Sequence, residues 1–207
     1  MRGLAVFLMA LLLLGCTGTA HVTTPLVAHK SQKIAGNYAV HIQSGGWQLK
    51  TNPVDASCSL WRFNTPVDES YVKAMQTVLT ETLQSVDFRP DIQDTHTLKR
   101  NGYDAQISLV QGPAASQFGI SPNSFGAGTD SDVELTLHIA ILYPDGQRQQ
   151  QSVTGRASKD GFKVICSSIA DIIADAAREA VRDVVSQAVD SIDNQLEIRR
   201  RQVTTRG

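Results

Sequence analysis

The sequence predicts an α+β fold, a two-layer sandwich in which an antiparallel or mixed sheet carries two amphipathic helices on one face. Three observations predict it. Val133, Leu135, Leu137, Ile139, Ile141 and Tyr143 alternate with polar Glu134, Thr136 and His138, the two-residue period of a strand with one buried face. Ile169, Ile172, Ile173, Val181, Val184, Val185, Ile192 and Leu196, with alanines between them, hold one stripe at helical spacing, so a long amphipathic helix follows. Tyr71, Met75, Val78, Leu79, Leu83 and Val86 recur at spacings of three and four, which predicts a second helix over Glu69 to Val86. Elements with one apolar face bury it by stacking in layers.

Taken in order, the domain begins at Ile34, where Tyr38, Val40 and Ile42 alternate with Ala39 and His41. Gly45-Gly46 signals a turn, and Trp47 to Leu49 returns as a strand. Asp55 to Phe63 reads as irregular. It ends at Thr65-Pro66-Val67-Asp68, where Thr or Asp can cap the next helix and Pro suits its first turn. Phe88 to Gly102 reads as a connection with at most a short strand, and Ala105, Ile107 and Leu109 as a strand. Gly112 to Asp132 is dense in Gly, Ser, Pro and Ala, and predicts a loop of about 20 residues, a length that is usually functional or disordered. Phe118, Ile120 and Phe125 lie within it as candidate docking residues. After the strand of 133–143, Pro144-Asp145-Gly146 makes a turn. Gln147 to Arg156 returns as a solvated edge strand, and Ser167 or Ser168 caps the last helix. Asp171 and Asp175 near its start and Arg199 to Arg201 near its end complement the helix dipole.

The 207 residues carry 19 Lys+Arg against 20 Asp+Glu, five His and three Cys. This near-neutral balance excludes a strongly basic nucleic-acid binder and an acidic disordered tail, so no nucleic-acid partner is expected.

Arg2 is followed by the uninterrupted apolar run Leu4 to Leu14, too short to cross a bilayer, which takes about 20 residues. A positive residue, a short apolar run and then small residues is the layout of a secretory signal peptide. At its end, Leu13-Leu14-Gly15-Cys16 resembles a bacterial lipobox. The resemblance implies cleavage before Cys16, a diacylglyceryl thioether on its sulfur and an acylated (palmitate-type) amino terminus. Several acyl chains anchor a protein stably to one membrane surface. Thr17, where lipoproteins retained in the inner membrane typically have Asp, implies the outer membrane, with the domain facing the periplasm. The expected organisation is a signal peptide over 1–15, a lipidated N-terminus and tether over 16–33, one α+β periplasmic domain over 34–198 and a basic tail over 199–207.

With Cys16 given to lipid, Cys58 and Cys166 remain, an even number in an oxidising compartment. Each precedes an amphipathic helix. A disulfide between them would close a loop of about 108 residues and contribute roughly 4 to 5 kcal/mol at most. Two separate buried thiols are the alternative; a metal-binding pair lacks a CxxC partner or neighbouring His.

Most sequence signatures of chemistry are absent: no GxSxG, GxGxxG or GxxxxGK[ST] occurs, and the one SxxK, Ser70 to Lys73, falls inside the predicted helix of Glu69 to Val86. His21, His29, His41, His96 and His138 do not stand at metal-ligand spacing, and Asp130-Ser131-Asp132 lacks the further oxygen ligands of a calcium loop. No catalytic residue, metal or cofactor is expected. Arg199, Arg200, Arg201 and Arg206 either complement the helix dipole or attract anionic lipid head groups or an acidic partner. Beyond the lipobox, the order of elements is similar to that of small outer-membrane lipoproteins such as the YajG-like proteins and the auxiliary lipoproteins of envelope transport systems. That resemblance implies a non-enzymatic docking component of an envelope assembly or transport apparatus, with another envelope protein as partner. A periplasmic carrier or sensor binding a small apolar ligand is the alternative, and a hydrolase with a scattered triad a third reading.

Overall fold

A computed structural model describes residues 17–25, 32–53, 61–123, 126–162 and 169–204. Within them the chain forms β1 (Thr17–Thr19), β2 (Ile34–Ile42), β3 (Gln48–Pro53), β4 (Arg62–Pro66), α1 (Asp68–Thr82), β5 (Leu83–Phe88), α2 (Thr95–Arg100), β6 (Ala105–Asn123), β7 (Gly126–Leu142), β8 (Arg148–Phe162) and α3 (Ile169–Thr204). β6 is the spine of a mixed sheet. On one side its first half pairs in parallel with β2, which continues to β5, and its second half pairs in parallel with β3, which leads through β4 to β1. On its other side it pairs antiparallel with β7 along its whole length, and β7 with β8.

α1 and α3 pack on one face, as the apolar stripes predict. Tyr71, Met75 and Leu79 of α1 and Val181, Val184 and Val185 of α3 share one buried cluster with Val40, Ile107, Leu109, Leu135 and Leu137 of the sheet. The architecture is the expected α+β sandwich. A third, short helix was not expected: α2, capped by the Asp94 side chain, which accepts from the Thr97 amide at 2.7 Å. The residues leading into α2 lie over the opposite sheet face, where the Gln93 amide donates to the buried Gln106 side chain at 2.8 Å.

The largest departure is at Gly112 to Asp132. Of these, Gly112 to Asn123 and Gly126 to Asp132 are not a loop but the outer halves of β6 and β7, in register from Ala114↔Leu135 to Asn123↔Gly126. A bulge between Gln111 and Ala114 adds one residue, and this switches the alternation. Ile107 and Leu109 face the helices before it; Ser116 and Phe118, of the opposite parity to the count, face them after it. Pro113 sits in the bulge, where a strand tolerates the loss of an amide donor.

α1 is shorter than its spacing suggests. Leu83 turns to extended backbone (φ −96°, ψ 147°) because it pairs with Ile34 as the first rung of β5 on β2. α3 runs on through Thr204, so Arg199 to Arg201 are helical, as their expected place near the helix end requires. Part of the expected tether is also folded. Thr17 to Thr19 pair with Arg62 to Asn64, and Ala20 is buried. Cys16, Cys58, Cys166, Phe125, Ser167 and Ser168 lie outside the described residues.

α3 approaches β8 closely at Gly155. A Cβ added there would stand 2.4 Å from the Ala180 carbonyl oxygen and 2.5 Å from the Val184 nitrogen, so only glycine lets the two backbones meet.

Candidate functional site

At the C-terminal end of α3 the layers part into a cleft of about 710 Å³. Four segments build it. α3 brings Leu196, Arg199 and Arg200; the start of β2 brings Ala35, Gly36 and Tyr38; the residues before β6 bring Tyr103 and Asp104; and the β7–β8 turn brings Tyr143, Pro144 and Asp145.

The turn is held locally. Gly146 takes φ +90°, its amide donates to the Tyr143 carbonyl at 3.0 Å, and the Asp145 carboxylate accepts from the Gln147 amide at 3.1 Å. That amide, and then the Arg199 guanidinium, hold the Asp145 carboxyl below its ordinary range. Arg199 donates to Asp145 and to the Gln147 side chain at 2.6 Å, with its guanidinium 5.0 Å from the centre of the Tyr143 ring. Burial pushes the Tyr143 hydroxyl up to about 12, against the opposing pull of Arg199. Tyr143 donates to Gln149 at 3.2 Å.

Across the cleft, Arg200 donates to the Ala35 carbonyl, which also accepts from the Tyr38 hydroxyl at 2.8 Å. Burial raises that hydroxyl's pKa, and Arg200 opposes the rise. Gly36 has φ +125°, and a Cβ on it would meet Asp104 at 2.8 Å; the Asp104 carboxylate accepts from the Asn37 amide at 2.8 Å. Tyr103 donates to Asp87 and accepts from Arg89 at 2.9 Å. Its hydrogen bond, ahead of Arg89, lowers the Asp87 carboxyl. Near neutral pH, Tyr38 and Tyr143 therefore stay protonated, and Asp87 and Asp145 stay ionised. Groups so fixed suit recognition better than proton transfer, which is favoured by a group poised near the working pH.

The structure brings together only part of the set of residues marked in the sequence. Arg199 and Arg200 line the cleft, whereas Arg201 turns to Glu197 at 2.6 Å on the helix surface. Phe118, expected to be exposed, is buried against Phe63 at 5.5 Å, and Ile120 packs half-buried on the same cluster. Both sit near the opposite end of β6. Tyr38, Tyr103, Tyr143, Asp104 and Asp145 went unmarked. Three of the chain's four tyrosines converge here, but their convergence depends on pairings between distant segments.

Elsewhere, His138 Nδ1 lies 2.7 Å from the Ser152 hydroxyl, a cross-strand pair on the same outer sheet face as the Arg156–Glu134 ion pair at 3.0 Å. Asp130 to Asp132 belong to β7, with the Ser131 hydroxyl donating to the Gln117 carbonyl. Among the described residues, no group of three or more His, Cys, Asp and Glu is placed to hold a metal, and no helix is long and apolar enough to cross a membrane.

No family model matches the sequence, and no curated protein matches it. Among solved structures, the chain is similar to a Xanthomonas campestris protein of the DUF330 family, at 10% identity and TM-score 0.48 over 86% of this chain and 99% of that one. It is also similar to a homologue of the neuraminyllactose-binding hemagglutinin from Helicobacter pylori, at 10% identity and TM-score 0.42 over 86% and 97%. A third is lipoprotein GNA1162 from Neisseria meningitidis, at 10% identity and TM-score 0.29 over 78% and 98%. None of them assigns a residue here.

Proposed function

We propose that this chain is a non-enzymatic, membrane-anchored lipoprotein that docks on another envelope protein and serves as a structural component of an envelope assembly or transport apparatus. The observation that carries the reading is the composition of the end cleft. Tyr and Arg are the side chains most enriched where proteins bind each other, and here Tyr38, Tyr103 and Tyr143 surround Arg199 and Arg200. Their hydrogen bonds and ion pairs hold them in place before a partner arrives, which lowers the entropy lost on binding. Membrane anchorage, and the outer membrane in particular, rest on the lipobox resemblance at Cys16 and on Thr17. The test is a photo-crosslinking side chain introduced at Tyr103 in intact membranes. One stoichiometric envelope protein should be captured, and Arg199→Glu should abolish its capture; no defined partner would overturn the reading.

The cleft volume, within the roughly 300 to 1,000 Å³ range of small-molecule pockets, favours a second reading, a carrier or sensor of a small apolar ligand. Native mass spectrometry of protein released gently from membranes should then show a bound adduct, and an empty protein would speak against it.

A further inference from the structure

Cys16 is followed at once by an ordered strand. Thr17, Gly18 and Thr19 pair with Arg62, Phe63 and Asn64, the Ala20 amide donates to the Asn64 carbonyl at 3.1 Å, and the Ser70 hydroxyl donates to the Thr23 carbonyl at 3.1 Å. The Phe63 ring lies against Gly18 so closely that a Cβ there would be 2.8 Å away. Cys16 is joined in the chain directly to Thr17, the first residue of this strand.

Strand directions place that start in the molecule. β1 runs parallel to β4, β4 antiparallel to β3, and β3 parallel to β6. Thr17 therefore lies towards the end of the sheet to which β6 runs and at which α3 begins, level with Gln117, with the β6–β7 hairpin running on about six residues past it. The second apolar cluster is at this end: Phe63, Phe118, Ile169 and Ile173 are buried, and Trp61 and Ile120 are half-buried against them. Trp61 stacks on Phe63 with ring centres 5.9 Å apart. Indole is amphipathic, and tryptophan concentrates at the boundary between lipid and water.

The cleft is at the other end. From Asp132, level with Thr17, to Leu142 along β7 is about 33 Å at the rise of a strand, and from Ile169 to Arg199 along α3 is about 45 Å at the rise of a helix. We infer that the end bearing β1, Trp61 and Ile120 is the surface this protein sets against the phospholipid bilayer that anchors it, and that the cleft stands at the far end, turned away from that bilayer. The inference rests on the lipidation of Cys16. It also reassigns the arginines: the screening length is about 8 Å at physiological salt, so Arg199 to Arg201 lie out of reach of the head groups beneath the anchor.

Full-length lipidated protein in vesicles of phosphatidylethanolamine and phosphatidylglycerol, with lipids brominated near the head group, tests this by fluorescence. The chain has two tryptophans. Trp47 is fully buried and donates to the Gly112 carbonyl at 3.0 Å, so only Trp61 can meet bromine. The expected result is partial quenching of the wild type, none in Trp61→Phe, and quenching retained in Trp47→Phe, which repeats the comparison should Trp61→Phe fail to fold. Protein that floats with the vesicles but is not quenched overturns the orientation and leaves the anchor standing. Protein that does not float removes the anchor, and the inference with it.

Discussion

Gly155 is the position where a single methyl group has the largest expected effect. Both atoms it would strike belong to the α3 backbone, and a helix cannot yield as the tip of a side chain can. Gly155→Ala should lower stability by about 1 to 3 kcal/mol, the range for overpacked interiors; an unchanged urea midpoint would contradict the close approach. Tyr143 gives a pH dependence instead. Its hydroxyl sits at about 12 in the fold against about 10 in an unfolded chain. The folded state thus holds the phenolic proton more tightly, so this contribution is complete below about pH 10 and is lost as pH rises towards 12. Tyr38 and Tyr71 are shifted the same way by burial. Urea midpoints should fall above pH 10, and Tyr143→Phe should make the decline shallower; an identical slope in that variant would show that Tyr143 does not titrate as its burial implies.

The helix end and the first strand give predictions about elements. Arg199 ties the last turns of α3 to the β7–β8 turn through Asp145, Gln147 and the Tyr143 ring. Its side chain is 18% exposed and that of Asp145 is 44% exposed, so screening keeps the ion pair modest. Arg199→Ala should cost about 1 kcal/mol and speed hydrogen exchange in the C-terminal turns of α3, while the N-terminal turns stay protected. Gly18→Val should expel β1 from its place beside Phe63. Exchange should then rise across 17–25 with the global unfolding midpoint nearly unchanged, whereas a large drop in that midpoint would show that the core depends on β1. These same elements show how far the sequence was legible. The stripe of α3 and the alternation of 133–143 were readable because each is one uninterrupted period. The outer half of β6 was not, because the bulge at Gly112-Pro113 breaks the alternation and its small residues gain strand structure only by pairing with β7. The end of α1 was hidden for a related reason: Leu83 keeps helical spacing, but its pairing with Ile34 decides its conformation.

For the whole molecule, Cys16→Ala should leave the protein unlipidated and in the soluble fraction, and continued retention on membranes would contradict the lipobox. The cleft was the least legible feature, since Tyr38, Tyr103, Tyr143 and Arg199 are far apart in the chain and meet only through the topology of the sheet. Arg199 and Arg200 were marked as charges, but the sequence offered no sign of the aromatic rings around them. α3 has one further consequence. It is a single unbroken helix of 36 residues, with one end in the apolar cluster near β1 and the other in the cleft. Held against β8 at Gly155 and tied to the β7–β8 turn by Arg199, such a rod acts as a brace along the sheet. A load on the cleft is therefore carried along α3 to the apolar cluster beside β1.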